Sequence, residues 1–339
     1  MIIVDGSYGE GGGQILRTAL ALSLVTGKPF TIRNIRAGRN KPGLMRQHLA
    51  AVNASAEIGN ARVSGNHIGS DSFTFEPETI KTGRYHFSVG TAGSCTLVFQ
   101  TVLPALMVGD TPSEIILEGG THNPFAPPFD FLDKAFLPLI NRMGPTVSAV
   151  LERAGFYPAG GGRFKVSVTP SRRLDTINVV ERGRIIKQRV RATVSNLPLT
   201  IAHRELKIFH RKLGWDKDCL QACEVRDSYG PGNIITAEIW SENVCEVFTG
   251  FGERGIRAET VAEKTVKSVK EYLSSGQPAG THLADQLIVP MALAGRGKIR
   301  TYSPTRHTTT NISIIKKFLK IEITLNPESN SSCEIDIRS

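Results

Sequence analysis

One order of events occurs three times along the 339 residues, and it limits the possible folds more than any single motif does. A turn that carries glycine leads into an apolar helix, a strand, a polar loop and a second helix. The first passage predicts helix Gln14–Val25, strand Pro29–Ile35, loop Arg36–Gly43 and helix Leu44–Ile58. The second begins at GTAGSC and predicts helix Thr96–Met107, strand Ser113–Glu118, loop Gly119–Pro128 and helix Phe131–Met143. The third begins at GTHLADQ and predicts helix Leu287–Ala294, strand Lys298–Tyr302, loop Ser303–Asn311 and helix Ile312–Phe318. Alternating segments such as RFKVSVTP follow the second helix, as half-buried strands do. The pattern predicts an α/β (α+β) chain of three repeated units, each with two helices on a small sheet. Equivalent loops then gather at one end of each unit, where ligands tend to bind.

The third passage is separated from the second by about a hundred residues of different character. They hold Trp215, Trp240, Cys219, Cys223, Cys245 and a charged amphipathic helix, Ala258–Leu273. Residues 182–273 therefore read as an inserted α/β domain, and 1–181 with 274–339 as one discontinuous core.

Composition narrows the class. With 40% hydrophobic and 21% charged residues the chain suits a globular core, which excludes overall disorder and coiled coil. No apolar run approaches the ~20 residues that span a bilayer, so no membrane role is expected. MIIVDGSYGE lacks a signal-peptide order, and five scattered cysteines suit a reducing compartment. Both point to the cytoplasm. Cys219 and Cys223 would share one face of a helix, and no structural metal is expected there.

The net charge of +10 is clustered. Residues 33–46 carry Arg33, Arg36, Arg39, Lys41 and Arg46 without an acid. Residues 182–212 carry nine cations against Glu205 alone. Such clusters suit a polyanion such as nucleic acid or a phosphorylated substrate, or else a solvated basic face.

DGSYGEGGGQ (Asp5–Gln14) places glycines between a strand and a helix, which exposes amide N–H groups to a phosphate. It is neither a Walker A loop nor a full dinucleotide fingerprint. Glu10 within it is a candidate Mg²⁺ ligand. His307, in SPTRHTTTN, is a candidate phosphate contact or nucleophile, since a neutral imidazole nitrogen attacks phosphorus without a separate base. His122 occupies the matching loop of the second passage, so the repeat does not choose between the two.

The strings DGSYGEGGGQILR, IRAGRNKPGLMRQH, GTAGSCTLVFQT, GFYPAGGG, LADQLIVPMALAG and PTRHTTTN occur here in the order and spacing of the RNA 3′-terminal phosphate cyclase family. The chain resembles that family over essentially its whole length. The resemblance implies ATP-dependent conversion of an RNA 3′-phosphate to a 2′,3′-cyclic phosphodiester, with release of AMP and pyrophosphate. It implies a covalent histidinyl-AMP on His307, then an RNA-adenylate. The family's metal-binding carboxylate falls on Glu10, for Mg²⁺ or Mn²⁺. Its adenylate contacts fall on Gln100 and on His282, Leu283, Ala284, Asp285 and Gln286. Arg17, Arg36, Arg39 and Gln47 are assigned to phosphates of ATP or RNA. Asp285 either orients His307 through its second nitrogen or binds the ribose. The resemblance also implies four-stranded sheets in the repeated units, a thioredoxin-like arrangement for the insert, and a possible homodimer.

The chain departs from many relatives in His282, where Tyr is common, and in Thr305-Arg306 beside the histidine. Two other classes compete. A catalytically silent relative would lack the histidine, and a small-molecule transferase of related fold would lack the insert.

Overall fold

Glycine-rich and polar segments bring the chain back repeatedly to one end of a helical layer. The structure is a computed structural model and describes residues 1–329 and 331–339. Strand β1 (Ile2–Asp5) runs through the glycine turn into helix α1 (Gly13–Thr26), followed by β2 (Phe30–Arg33), α2 (Arg46–Ile58), β3 (Arg62–Ser64) and β4 (Phe73–Glu76). In this sheet β1 lies parallel to β2, and β4 pairs antiparallel with both β2 and β3. Helix α1 buries Ile15, Leu16, Ala19, Leu20 and Leu22 completely, because it packs against α2 and two later helices.

Next come β5 (Arg84–Ser88), α3 (Cys95–Met107) and β6 (Ser113–Gly119). A helix then begins as α4 (Phe129–Phe131), widens through a π-turn at Leu132–Phe136 and ends as α5 (Leu137–Asn141). Strands β7 (Thr146–Arg153) and β8 (Gly162–Thr169) complete the second sheet, with β5 parallel to β6 and β8 antiparallel to both β6 and β7. The alternation of SEIILEG and RFKVSVT puts one face of each strand into the core.

Strand β9 (Ile177–Val179) has its partner far along the chain. Between them lie β10 (Ile185–Ser195), α6 (Thr200–Leu213), β11 (Leu220–Val225), β12 (Gly232–Ser241), β13 (Cys245–Phe251) and α7 (Ala258–Ser275). These strands pair in the order β11-β10-β12-β13, and α6 and α7 cover the sheet around a separate apolar cluster that includes Phe209, Trp215 and Tyr272. Helix α7 runs two residues beyond position 273. The main core resumes with α8 (Thr281–Leu293), β14 (Arg296–Tyr302), α9 (Arg306–Phe318), β15 (Glu322–Ser329) and β16 (Ser332–Arg338). Strand β14 lies parallel to β9, and β16 is antiparallel to both β14 and β15. The class is α+β, with four four-stranded sheets among the described residues.

Three expectations change. Helix α8 starts at Thr281 rather than Leu287, because its first turns carry polar residues toward a cleft. Helix α9 starts at Arg306 rather than Ile312, so His307 sits in a helical turn and not in a loop. Cys219 ends a short 3₁₀ turn and Cys223 lies in β11, so the two do not share a helix face. No helix among the described residues is long and apolar enough to cross a membrane.

Candidate active site

Helices α1, α8 and α9 are bonded into one body under the cleft. Thr18 Oγ1 donates to Asn311 Oδ1 at 2.7 Å, and Asn311 Nδ2 donates to the Asp285 carbonyl at 3.1 Å. The start of α9 is fixed by a reciprocal cap. Thr305 Oγ1 accepts from Thr308 N at 3.0 Å, and Thr308 Oγ1 accepts from Thr305 N at 3.0 Å. Buried Asp285 takes both hydroxyls, Thr305 Oγ1 at 2.9 Å and Thr308 Oγ1 at 2.5 Å. Burial raises its carboxyl above the usual range, and those two hydroxyls with the nearby histidines counter part of that rise. Asp285 thus holds the turn that carries His307; the imidazole itself bonds elsewhere.

That partner is Gln14, whose Oε1 faces His307 Nδ1. An amide oxygen only accepts, so this contact is made by the tautomer with its proton on Nδ1, which leaves the lone pair on Nε2. His307 is exposed in the first turn of α9, where the helix dipole favours an anion. His122 contrasts with it. That ring is buried, with Nδ1 on Thr121 Oγ1 at 2.8 Å and Nε2 on Asp130 Oδ2 at 3.1 Å. Of the two histidines left open by the repeat, only His307 has a ring nitrogen without a partner among the described residues.

The glycine turn lies against α9. Glu10 N donates to Thr310 Oγ1 at 3.1 Å, and a Cβ on Gly9 (φ +60°) would stand 2.1 Å from that oxygen, so this position needs glycine. Arg39 Nη2 donates to Glu10 Oε2 at 2.8 Å and to its carbonyl at 3.0 Å. Arg17 projects from α1, half-buried, and no carboxylate among the described residues pairs with it. Burial lowers its guanidinium to about 10, which the charge of Glu10 partly opposes. Its Nη1 and His48 Nε2 lie only 2.9 and 2.4 Å from where a Gly13 side chain would begin. His48 Nδ1 accepts from Met45 N at 3.2 Å, which leaves the proton on Nε2. Burial, together with Arg17 and Arg36, drives its pKa down to about 3, so it is a neutral donor. Gln47 Oε1 accepts from Ser94 N at 2.7 Å and ties this cradle to α3. Arg36 acts on its own loop: at φ +55° it donates to the carbonyls of Lys41 (2.6 Å) and Gly43 (3.0 Å).

A narrow cavity of about 60 Å³ runs inward between Gln14, Arg17, Gln100, Asp285, Gln286 and Asn311. Both amide atoms of Gln100 are buried there without a partner among the described residues. Such orphans suit a ligand that supplies the missing donor and acceptor. His282 is exposed at the start of α8, whereas Leu283 and Ala284 are buried in the main core. Leu283 and Ala284 lie on the face of α8 that packs onto the layer below. The sequence reading passed over Gln14 and His48. Each stood inside a quoted string, but only the fold shows where its polar atoms point.

A glycine-rich helix start, where Gln14 N–H is bonded to Glu10 Oε1 at 3.4 Å, brings together guanidinium and imidazole groups of the kind that suit a phosphate ester. The profile of RNA 3′-terminal phosphate cyclase matches residues 8–325. A protein of that name from Koribacter versatilis is 49% identical over 330 residues, 97% of this chain and 93% of the relative. Another from Ralstonia nicotianae is 49% identical over 332 residues, 98% and 95% of the two chains. A third, from Ectopseudomonas mendocina, is 46% identical over 337 residues, 99% and 98%. The chain belongs to the RNA 3′-terminal phosphate cyclase family and is an enzyme of that family.

Proposed function

We propose that this enzyme uses ATP to close the 3′-phosphate end of an RNA into a 2′,3′-cyclic phosphodiester. The observation that carries the mechanism is the contact of His307 Nδ1 with Gln14 Oε1, which favours the tautomer with its proton on Nδ1 and its lone pair on Nε2. In the first step Nε2 attacks the α-phosphorus of ATP. The N–P bond forms as the bond to pyrophosphate breaks, and the Gln14 oxygen stabilises the ring's positive charge through Nδ1–H. A non-bridging oxygen of the RNA 3′-phosphate then displaces the imidazole and takes the AMP. Finally the adjacent 2′-OH attacks the RNA phosphorus, AMP departs, and the hydroxyl proton passes to solvent. A 2′-OH is needed, which makes RNA the substrate class.

Pyrophosphate gathers negative charge as it leaves. Arg17 and His48 Nε2–H are fixed donors at hand for it, beside the N-terminus of α1, where Gln14 N–H is bonded to Glu10 Oε1 at 3.4 Å. A divalent cation suits Glu10, whose single carboxylate fits an ion that draws its other ligands from water and phosphate and offsets the leaving group's charge. Arg39 shares that carboxylate and has to move or bridge. The unpartnered Gln100 amide suits the edge of a nucleobase, and His282 is exposed at the start of α8. We also read the three sheets that pair alike as copies of one unit, and the β10–α7 segment as a thioredoxin-like insert.

The test is a labelling experiment. With α-³²P-ATP and Mg²⁺ or Mn²⁺, acid-labile and alkali-stable label should stay on the denatured chain and vanish in His307→Ala. Folded protein that takes no label with either metal overturns the mechanism.

A further inference from the structure

Four loops meet just beyond the phosphate cradle, and three of them carry an aromatic ring turned to solvent. Phe125 is 95% exposed, Tyr157 66% and Tyr229 68%. The loops are in direct contact. Asn123 Nδ2 donates to the Ala92 carbonyl at 2.6 Å, and a Cβ on Gly160 would stand 2.8 Å from Ala92 Cα. His122 and Phe156 form a bridge that sets the Phe125 turn beside the Tyr157 turn. The Tyr229 ring lies against Gly161, and Arg153 stacks on its face at 4.3 Å from the centroid. Arg153 Nε is held by the Gly161 carbonyl at 2.6 Å, and no carboxylate among the described residues neutralises it. The patch reaches the cradle through Ser94, whose N–H is bonded to Gln47, the neighbour of His48.

We propose that Phe125, Tyr157 and Tyr229 form a stacking platform for the unpaired nucleotides that precede the RNA's 3′ end. Isolated exposed rings are ordinary, but rings on touching loops, beside an uncompensated guanidinium and leading to a phosphate site, have the chemistry that single-stranded RNA requires. Bases stack on the rings, and Arg153 faces the backbone. The grip is independent of sequence, because every base has a π-face. The proposal rests on the RNA reading above and specifies which surface holds the strand.

The experiment measures binding of 3′-phosphate oligoribonucleotides, two and ten nucleotides long, by fluorescence anisotropy. The proteins are the wild type, Phe125→Ala, Phe125→Trp and Tyr229→Ala. The ten-mer should bind about tenfold more weakly to Phe125→Ala and to Tyr229→Ala, the loss of roughly one stacked base. The two-mer should be unaffected, and Phe125→Trp should keep the wild-type affinity. Equal effects on both lengths, or none, overturn the platform. So does a fall in His307 labelling by ATP alone in Phe125→Ala, which would assign the ring to the nucleotide. A change of sedimentation mass in that variant also overturns it, as the patch would then join two copies of the chain. A wild-type protein that never takes label refutes the proposed mechanism instead, while the length dependence of RNA binding still reads out the platform.

Discussion

Residues 33–46 and 182–212 are both strongly basic in sequence, and folding treats them in opposite ways. The second stretch has one acid of its own, yet most of its cations find distant carboxylates. Arg184 meets Glu242 at 2.7 Å, Arg189 meets Glu238 at 2.7 Å, and Arg204 meets Glu259 at 2.7 Å. Arg191 bridges Asp130 and Glu238, and Arg211 and Lys212 approach Glu263. Lys187 covers Trp240 and Arg182 covers Tyr272. The first stretch receives far less. Among the described residues only Arg39 meets a carboxylate, Glu10, while Arg36 clips its loop and Arg33, Lys41 and Arg46 stay exposed. A run of cations therefore marks a ligand site only where the fold brings no acids to it. By that measure the glycine turn suits a phosphate ester better than residues 182–212, whose cations are largely paired.

The sharpest way to break this contrast is Glu238→Ala. Glu238 is fully buried between Arg189 and Arg191, and Arg191 also holds Asp130 across the seam between insert and core. The hydrogen bond and charge of His122, with Arg191, overcome the burial penalty and keep Asp130 at about 2. Removing Glu238 leaves two guanidinium groups short of a partner. A loss of about 3–5 kcal/mol in urea unfolding is expected. A loss under about 1 kcal/mol would mean that the junction is a solvated surface after all.

Arg17→Met tests the other side. This guanidinium is unpaired, so its removal should leave the urea midpoint unchanged or raise it. Binding of pyrophosphate by calorimetry should weaken about tenfold to a hundredfold, as one or two charged hydrogen bonds are lost. Lost stability with unchanged binding would reverse the assignment.

Sequence and fold agree where periodicity is strong and part where polar residues face a cleft. Helix α1 was legible to within a residue at each end, and α3 likewise, because their apolar runs are long. The start of α9 was hidden by threonines that cap a helix as readily as they fill a loop. The start of α8 was hidden because His282, Asp285 and Gln286 interrupt the apolar pattern, the last two where the helix lines the cavity. The charge run at 182–212 was legible as composition, but its counter-charges come from β12, α7 and the turn before β13. His307 and Glu10 stood out as chemistry. The tautomer set by Gln14 did not, since it depends on two residues 293 positions apart.

Glu205 refines the comparison, because folding separates the one local acid of the second stretch from the cations around it. Its Oε2 accepts from Asn233 Nδ2 at 3.0 Å, its Oε1 is buried without a partner, and Arg204 turns to Glu259. Burial raises its carboxyl from 4.5 to about 7, against the opposing effects of Asn233 and Arg204. A raised acid stabilises the fold below its unfolded value, and that contribution is lost as pH climbs through the folded one. The wild type should therefore lose on the order of 2 kcal/mol from this group between pH 4.5 and pH 8. Glu205→Gln keeps the Asn233 bond and should remove that slope, with gains at pH 8 and none at pH 4. A slope that survives the substitution places the titration elsewhere.

The smallest effect expected is that of Arg204→Ala. Its guanidinium makes two bonds to Glu259, at 2.8 and 2.7 Å, which looks strong as geometry. Both partners reach solvent, however, and water and salt compete for each charge as effectively as they compete for each other. The urea midpoint should not move measurably at 0.15 M salt, and RNA affinity should not fall. The pair serves to cancel charge on the insert rather than to hold it together. A clear drop in RNA affinity would contradict that: it would mean that Arg204 leaves Glu259 for a phosphate, and that pairing in the free protein does not identify the cations that stay idle in the complex.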